Sequence, residues 1–130
     1  MIALDTSAII AIAMNETEAE TFDRVIGWRQ AIVGTPTLVE THLVLTAKMP
    51  DFAGSFIQSF LVPPDVRAVD FTADMYRAAA DAFNRFGKGR HPAKLNICDC
   101  MAYAVAKVHD VPLLYKGTDF DQTDIRPALP

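Results

Sequence analysis

The chain opens Met1-Ile2-Ala3-Leu4-Asp5-Thr6-Ser7-Ala8. Ile2-Ala3-Leu4 is a short apolar run without polar alternation. It stops at Asp5-Thr6-Ser7, three residues that cap helices well, and an apolar segment follows from Ala8 to Met14. The pattern predicts a strand buried on both faces, a turn and a helix. It recurs downstream. Glu16 to Trp28 reads as a helix with an acidic first turn, suited to the helix dipole. Ala31-Ile32-Val33 reads as a second strand, with Thr35 as N-cap and Pro36 opening a helix that runs to about Lys48. A helical piece from Phe52 to Leu61 ends at Pro63-Pro64, and Val66 to Val69 is a third strand. Thr72 to Phe86 carries apolar residues at helical spacing. A loop from Gly87 to Pro92 precedes a helix from Asp99 to His109. Leu113 to Tyr115 is a fourth strand, and a short fifth is expected near Asp124-Ile125.

Short apolar strands alternating with helices define an α/β fold, with a mostly parallel sheet of four to five strands covered on both faces. Right-handed crossovers then gather the residues that follow the strands at one edge. At 130 residues the chain is expected to form one domain, residues 1–130. Its 51% hydrophobic content and 22% charged content exclude a disordered or low-complexity chain. The start lacks the basic residues and long apolar run of a signal peptide, and no run of about 20 apolar residues could span a membrane. Cys98 and Cys100 are too close for an ordinary structural disulfide and lack the second pair of a structural zinc site. They read as small buried hydrophobes in a protein of the reducing cytoplasm.

Four carboxylates stand at informative places. Asp5 ends the first strand, where it either caps the next helix or serves a site. Glu40 shares a helical stripe with Leu43, Val44 and Ala47. Asp99 opens an almost wholly apolar helix, either as its cap or as a rigidly held ligand. Asp119 follows the fourth strand in a turn-like Gly117-Thr118-Asp119. Carboxylates gathered in one cleft repel each other unless a cation joins them. Mg²⁺ or Mn²⁺ fits an all-oxygen set and can activate water for attack on a phosphodiester. The Thr6 and Ser7 hydroxyls either support such a site or cap the helix. Asp121 and Asp124 read as solvated turn residues.

The net charge of −4 argues weakly against a nucleic-acid partner. Its distribution argues the other way. Between Ala82 and Cys98 there is no acidic residue, and 4 of the 12 Lys and Arg residues lie there: Arg85, Lys88, Arg90 and Lys94. With His91, the residues Lys88, Arg90 and Lys94 form a loop suited to phosphate-backbone contact. No G-x-G-x-x-G, P-loop or G-x-S-x-G motif is present.

Four stretches resemble the VapC-type PIN-domain ribonuclease toxins: Ile2 to Ala8, Pro36 to Glu40, Gly87 to Tyr103 and Leu113 to Phe120. The resemblance spans essentially the whole chain. It implies a PIN-like α/β/α sandwich, Mg²⁺-dependent RNA cleavage, inhibition by a cognate VapB-type antitoxin, and a homodimer, possibly within a larger toxin–antitoxin assembly. The acidic quartet of the family falls on Asp5, Glu40, Asp99 and Asp119, as catalytic residues and metal ligands, with Thr6 or Ser7 as a supporting hydroxyl. Cys98 departs from the small residue that relatives commonly carry there, and Thr118 from an acidic or amide residue. Both departures bear on metal affinity. Two other readings stand beside this one. A phospho-acceptor signalling domain would use an acidic pocket with Lys116, but the isolated Asp51 follows Pro50 rather than a central strand. A catalytically silent PIN-fold binding protein would keep the fold without the reaction.

Overall fold

The computed structural model describes residues 1–130. Four strands, β1 (Ile2–Leu4), β2 (Ala31–Gly34), β3 (Val66–Val69) and β4 (Leu113–Leu114), form one sheet in the order β3-β2-β1-β4. Every pairing is parallel. The helices are α1 (Thr6–Ala13), α2 (Ala19–Arg29), α3 (Thr35–Lys48), α4 (Ala53–Leu61), α5 (Ala73–Phe86) and α6 (Ile97–His109), with a 3₁₀ turn at Phe120–Gln122. None is long and apolar enough to cross a membrane.

The alternation of side chains along each strand divides the core into two layers. Ala3, Ile32 and Leu113 face one side and pack with α5 and α6 through Met75, Ala82, Phe86, Tyr103 and Val105. Ile2, Leu4, Val33, Val66 and Leu114 face the other and pack with α1 and α2 through Ile9, Phe22, Val25 and Ile26. This is the sandwich expected of β1, β2 and β4, which are buried at every position, while the edge strand β3 carries the exposed Arg67. Helix α6 lies against the sheet so closely that a Cβ on Gly34 would stand 2.7 Å from Val105 Cγ2. Glycine at the end of β2 therefore sets the height of α6 above the sheet.

The structure corrects several boundaries. Helix α1 begins at Thr6 with Asp5 as its N-cap, and α2 begins at Ala19. The N-cap of α3 is Gly34, which leaves Thr35 inside the helix. Helix α6 begins at Ile97 under an Asn96 cap, so Asp99 sits one turn in. No fifth strand forms near Asp124-Ile125; one parallel bridge joins Leu113 to Pro127 instead.

Candidate active site

Because the sheet is parallel, the carboxyl ends of β1, β2 and β4 share one edge, and each delivers part of a cleft. Asp5 follows β1 directly and is 5% exposed. Its Oδ2 accepts hydrogen bonds from the Ser7 backbone N–H (3.0 Å) and the Ser7 hydroxyl (2.6 Å). Its Oδ1 is buried and has no partner. Ser7 Oγ in turn accepts the Lys116 N–H at 2.9 Å. A relay from the chain beyond β4, through one hydroxyl, thus fixes one Asp5 oxygen and leaves the other bare. Glu40 is half-buried on α3, and its Oε1 accepts a hydrogen bond from the Thr6 hydroxyl. Both hydroxyls singled out by sequence therefore grip carboxylates.

Asp99 is half-buried and closes a reciprocal cap: Asn96 Oδ1 accepts the Asp99 N–H at 2.9 Å, and Asp99 Oδ2 accepts the Asn96 N–H at 3.0 Å. Capping and site placement are the same act here, because the cap locks the side chain at the mouth of the cleft. Burial pushes the Asp99 carboxyl up to about 6, assisted by the charges of Asp5, Glu40 and Asp119. Burial also raises Asp5, against the pull of Ser7 and with a push from Glu40. Asp5 and Asp99 thus feel the neighbouring carboxylate charges, in the direction the repulsion argument requires. Asp119 is the outlier. It is exposed and caps the 3₁₀ turn without a side-chain hydrogen bond. No three Asp, Glu, His or Cys side chains already form a cage for one ion. The bare, buried Asp5 Oδ1 nonetheless fits a cation, since a carboxylate oxygen with neither water nor donor is costly to ionise.

The loop from Gly87 to Leu95 is closed at its base by Lys88 N–H donating to Leu95 O (2.9 Å) and Leu95 N–H donating to Phe86 O (3.1 Å). It thereby returns the chain to the Asn96 cap, three residues from Asp99. Lys88, Arg90, His91 and Lys94 line an open basin of about 510 Å³ with Gly89 and Pro92. Lys88, Arg90 and Lys94 are exposed, and Arg90 lies 5.6 Å above the Phe83 ring. His91 Nδ1 accepts the Ala93 N–H at 3.0 Å, and the ring meets Phe86 edge-on. Arg85 stands apart from this group, paired with Asp81 and Asp124.

Two features escape the sequence. Asp124 is not a solvated turn residue: it accepts the Tyr103 hydroxyl (2.7 Å) and pairs with Lys107 (3.0 Å) and Arg85 (3.4 Å). Asp121 likewise accepts the Tyr115 hydroxyl. Cys98, in turn, is half-buried and lines a groove with Glu40, whereas Cys100 is 3% exposed and packs within the core. Only the helical offset of Cys98 from the buried positions of α6 hints at this in the sequence.

The PIN-domain profile matches residues 2–126, and the chain belongs to that family. Within it the chain is of the VapC type. It is 39% identical over 129 residues to "VapC ribonuclease Mb0640" of Mycobacterium bovis, covering 98% of each sequence. It is 37% identical to "Ribonuclease VapC" of Mycolicibacterium smegmatis, covering 94% of this chain and 95% of that one. Two solved structures share the fold. Mycobacterium tuberculosis VapC20, described as a sarcin-ricin loop cleaving toxin, has a TM-score of 0.74 at 19% identity and covers 98% of this chain and 100% of its own. VapBC2 from Rickettsia felis, bound to a promoter DNA fragment, has a TM-score of 0.75 at 14% identity and covers 98% and 96%. The expected α/β fold is therefore established, and the family speaks against a phospho-acceptor domain.

Proposed function

We propose that this chain is an endoribonuclease toxin of a VapBC-type toxin–antitoxin system, cleaving RNA with a divalent ion, Mg²⁺ or Mn²⁺, at the cleft of Asp5, Glu40, Asp99 and Asp119. The observation that carries this reading is Asp5 Oδ1, buried without a partner, at a place where burial and neighbouring carboxylates raise the proton affinity of Asp5 and Asp99. Such an ion, when bound, supplies water activation and charge stabilisation at phosphorus. Asp5 and Asp99 are its principal ligands, and Glu40 and Asp119 complete the pocket directly or through water. Ser7 holds Asp5 so that Oδ1 stays turned inward. Thr6 does the same for Glu40, leaving Oε2 available. Lys88, Arg90, His91 and Lys94 hold the RNA backbone beside the cleft, where exposed cations gain from displacing counterions.

The named relatives and the toxin–antitoxin structures support a cognate VapB-type antitoxin as partner. A homodimer and a cytoplasmic location complete the proposal. The test is cleavage of RNA by purified Asp5→Asn and Asp99→Asn with Mg²⁺. Both should lose roughly a hundredfold or more in rate while keeping the wild-type circular dichroism. A wild-type rate in either variant overturns the assignment.

A further inference from the structure

One lysine beside the cleft belongs neither to the acidic set nor to the basic loop. Lys116 reaches both ends of α1. Its backbone N–H donates to Ser7 Oγ at 2.9 Å, and that hydroxyl donates to Asp5 Oδ2 at 2.6 Å. Its ammonium lies 2.9 Å from Glu16 Oε1 and 3.4 Å from Glu18 Oε1. Glu18 Oε1 is buried and has no hydrogen-bond partner, so this cation is what offsets its charge. Both acids stand on a fixed platform: the Glu16 N–H donates to Ala11 O at 2.8 Å, and Glu18 is the N-cap residue of α2. The chain that carries Lys116 is otherwise loosely tied. Beyond Leu114, whose O accepts the Asp5 N–H at 3.0 Å, no backbone–backbone hydrogen bond holds Tyr115, Lys116 or Gly117. Gly117 follows with a φ of 98° and leads the chain to Asp119.

Hydrogen bonds are directional, so the place of the Lys116 N–H decides where Ser7 Oγ sits and which way Asp5 turns. We propose that Lys116 is a positioning residue: its ammonium, clamped by Glu16 and Glu18, holds its own N–H on Ser7 and so keeps Asp5 Oδ1 turned into the cleft. The clamp joins the chain after β4 to the link between α1 and α2, with Lys116 and Glu16 100 residues apart. An ion pair this exposed adds little to folding stability. Its effect falls on the geometry of Asp5 instead. The inference rests on the metal-dependent reading of the cleft and extends it to a side chain that touches neither ion nor RNA.

Mn²⁺ binding to the full chain without RNA, followed by electron paramagnetic resonance, reads the ion site apart from turnover. Lys116→Met should weaken Mn²⁺ binding about three- to tenfold, at or below the lower end of what losing a group that orients a metal ligand costs. The kcat for RNA should fall by a similar factor, with KM within about twofold and the melting temperature near wild type. Lys116→Arg should restore both, because a guanidinium also pairs with two carboxylates. Glu16→Gln combined with Glu18→Gln should reproduce the loss from the other side of the clamp. In a Ser7→Ala background, Lys116→Met should cost nothing further, since both changes cut one relay. Wild-type Mn²⁺ affinity in Lys116→Met, a further loss in the Ser7→Ala background, or a raised KM with unchanged kcat overturns the positioning role and leaves the metal-dependent reading intact. A wild-type chain that binds no Mn²⁺ and cleaves RNA without metal overturns both.

Discussion

Asp99, on α6, and Asp124, which meets α6 from the segment after the 3₁₀ turn, are carboxylates treated in opposite ways. Asp124 lies near the far end of the helix, where Tyr103, Lys107 and Arg85 converge on it. Burial alone would raise its proton affinity, but the Tyr103 hydroxyl and the Lys107 and Arg85 cations outweigh burial and hold it below the usual carboxylate value. Asp99 lies at the opening of the same helix. It receives one backbone hydrogen bond, and burial, assisted by the charges of Asp5, Glu40 and Asp119, raises its carboxyl to about 6. A carboxylate that serves the fold is surrounded by donors. A carboxylate left among its own kind marks a place where folding energy was not the quantity optimised.

The sharpest way to break this comparison is to neutralise each acid in turn. Asp99→Asn should lower Mg²⁺-dependent RNA cleavage by roughly a hundredfold to a thousandfold, because it removes an ion ligand. Asp124→Ala should leave the rate per folded molecule unchanged. Denaturant unfolding should instead show a loss of about 1–3 kcal/mol, since it strands the Tyr103 hydroxyl, whose ring is buried. The two exposed ion pairs to Asp124 add little to that figure. If the two variants exchange their effects, the distinction between the clusters is wrong.

A second prediction sharpens the packing side. Gly34→Ala should destabilise the protein by about 1–3 kcal/mol, because the added methyl meets Val105 and lifts α6 from the sheet. Since Asp99 rides on α6, cleavage should also fall, although every acid is present. Thermal melts and rate measurements on the same preparation check both parts.

A third prediction concerns pH in the presence of a chelator. Asp99 holds its proton more tightly folded than unfolded, so the folded chain binds more protons between pH ~4 and ~6. Stability should therefore fall as pH rises through that window, by about 1 kcal/mol once solvent screening at this half-exposed group is allowed for. Saturating Mg²⁺ should flatten or reverse the trend at its upper end, and Asp99→Asn should remove the Asp99 contribution. Asp124 has the opposite sign: its contribution is present above pH ~4 and fades as acid protonates it.

The smallest expected effect belongs to the basic loop. Lys88→Ala should weaken RNA binding by about two- to fivefold and reduce the slope of log affinity against log salt by about one. Filter binding at several salt concentrations measures both. An unchanged slope removes Lys88 from the RNA contacts.

Much of this was legible in the residues. Apolar strand runs, cap residues and prolines fix a parallel sheet with helices on both faces, because a strand without polar alternation has to be buried twice. The order of Asp5, Glu40, Asp99 and Asp119 along the chain, with the basic loop before Asp99, points to a cleft at the strand ends. The boundaries that shifted are those where two local solutions compete. Gly34 rather than Thr35 caps α3, and Asn96 takes the cap that Asp99 would otherwise hold. Asp124 was misread because its partners come from α5 and α6, 17 to 39 residues away.

The sequence by itself determined the class of fold, the family and the order of the acids. These depend on local periodicity and on motifs whose residues are neighbours in the chain. Only the tertiary structure decided what each acid lacks. The bare oxygen of Asp5, the relay from Lys116 through Ser7, and the grip of Thr6 on Glu40 each depend on side chains brought together from separate strand ends. Hydrogen-bond satisfaction is a property of such encounters, and no spacing along one chain segment encodes it.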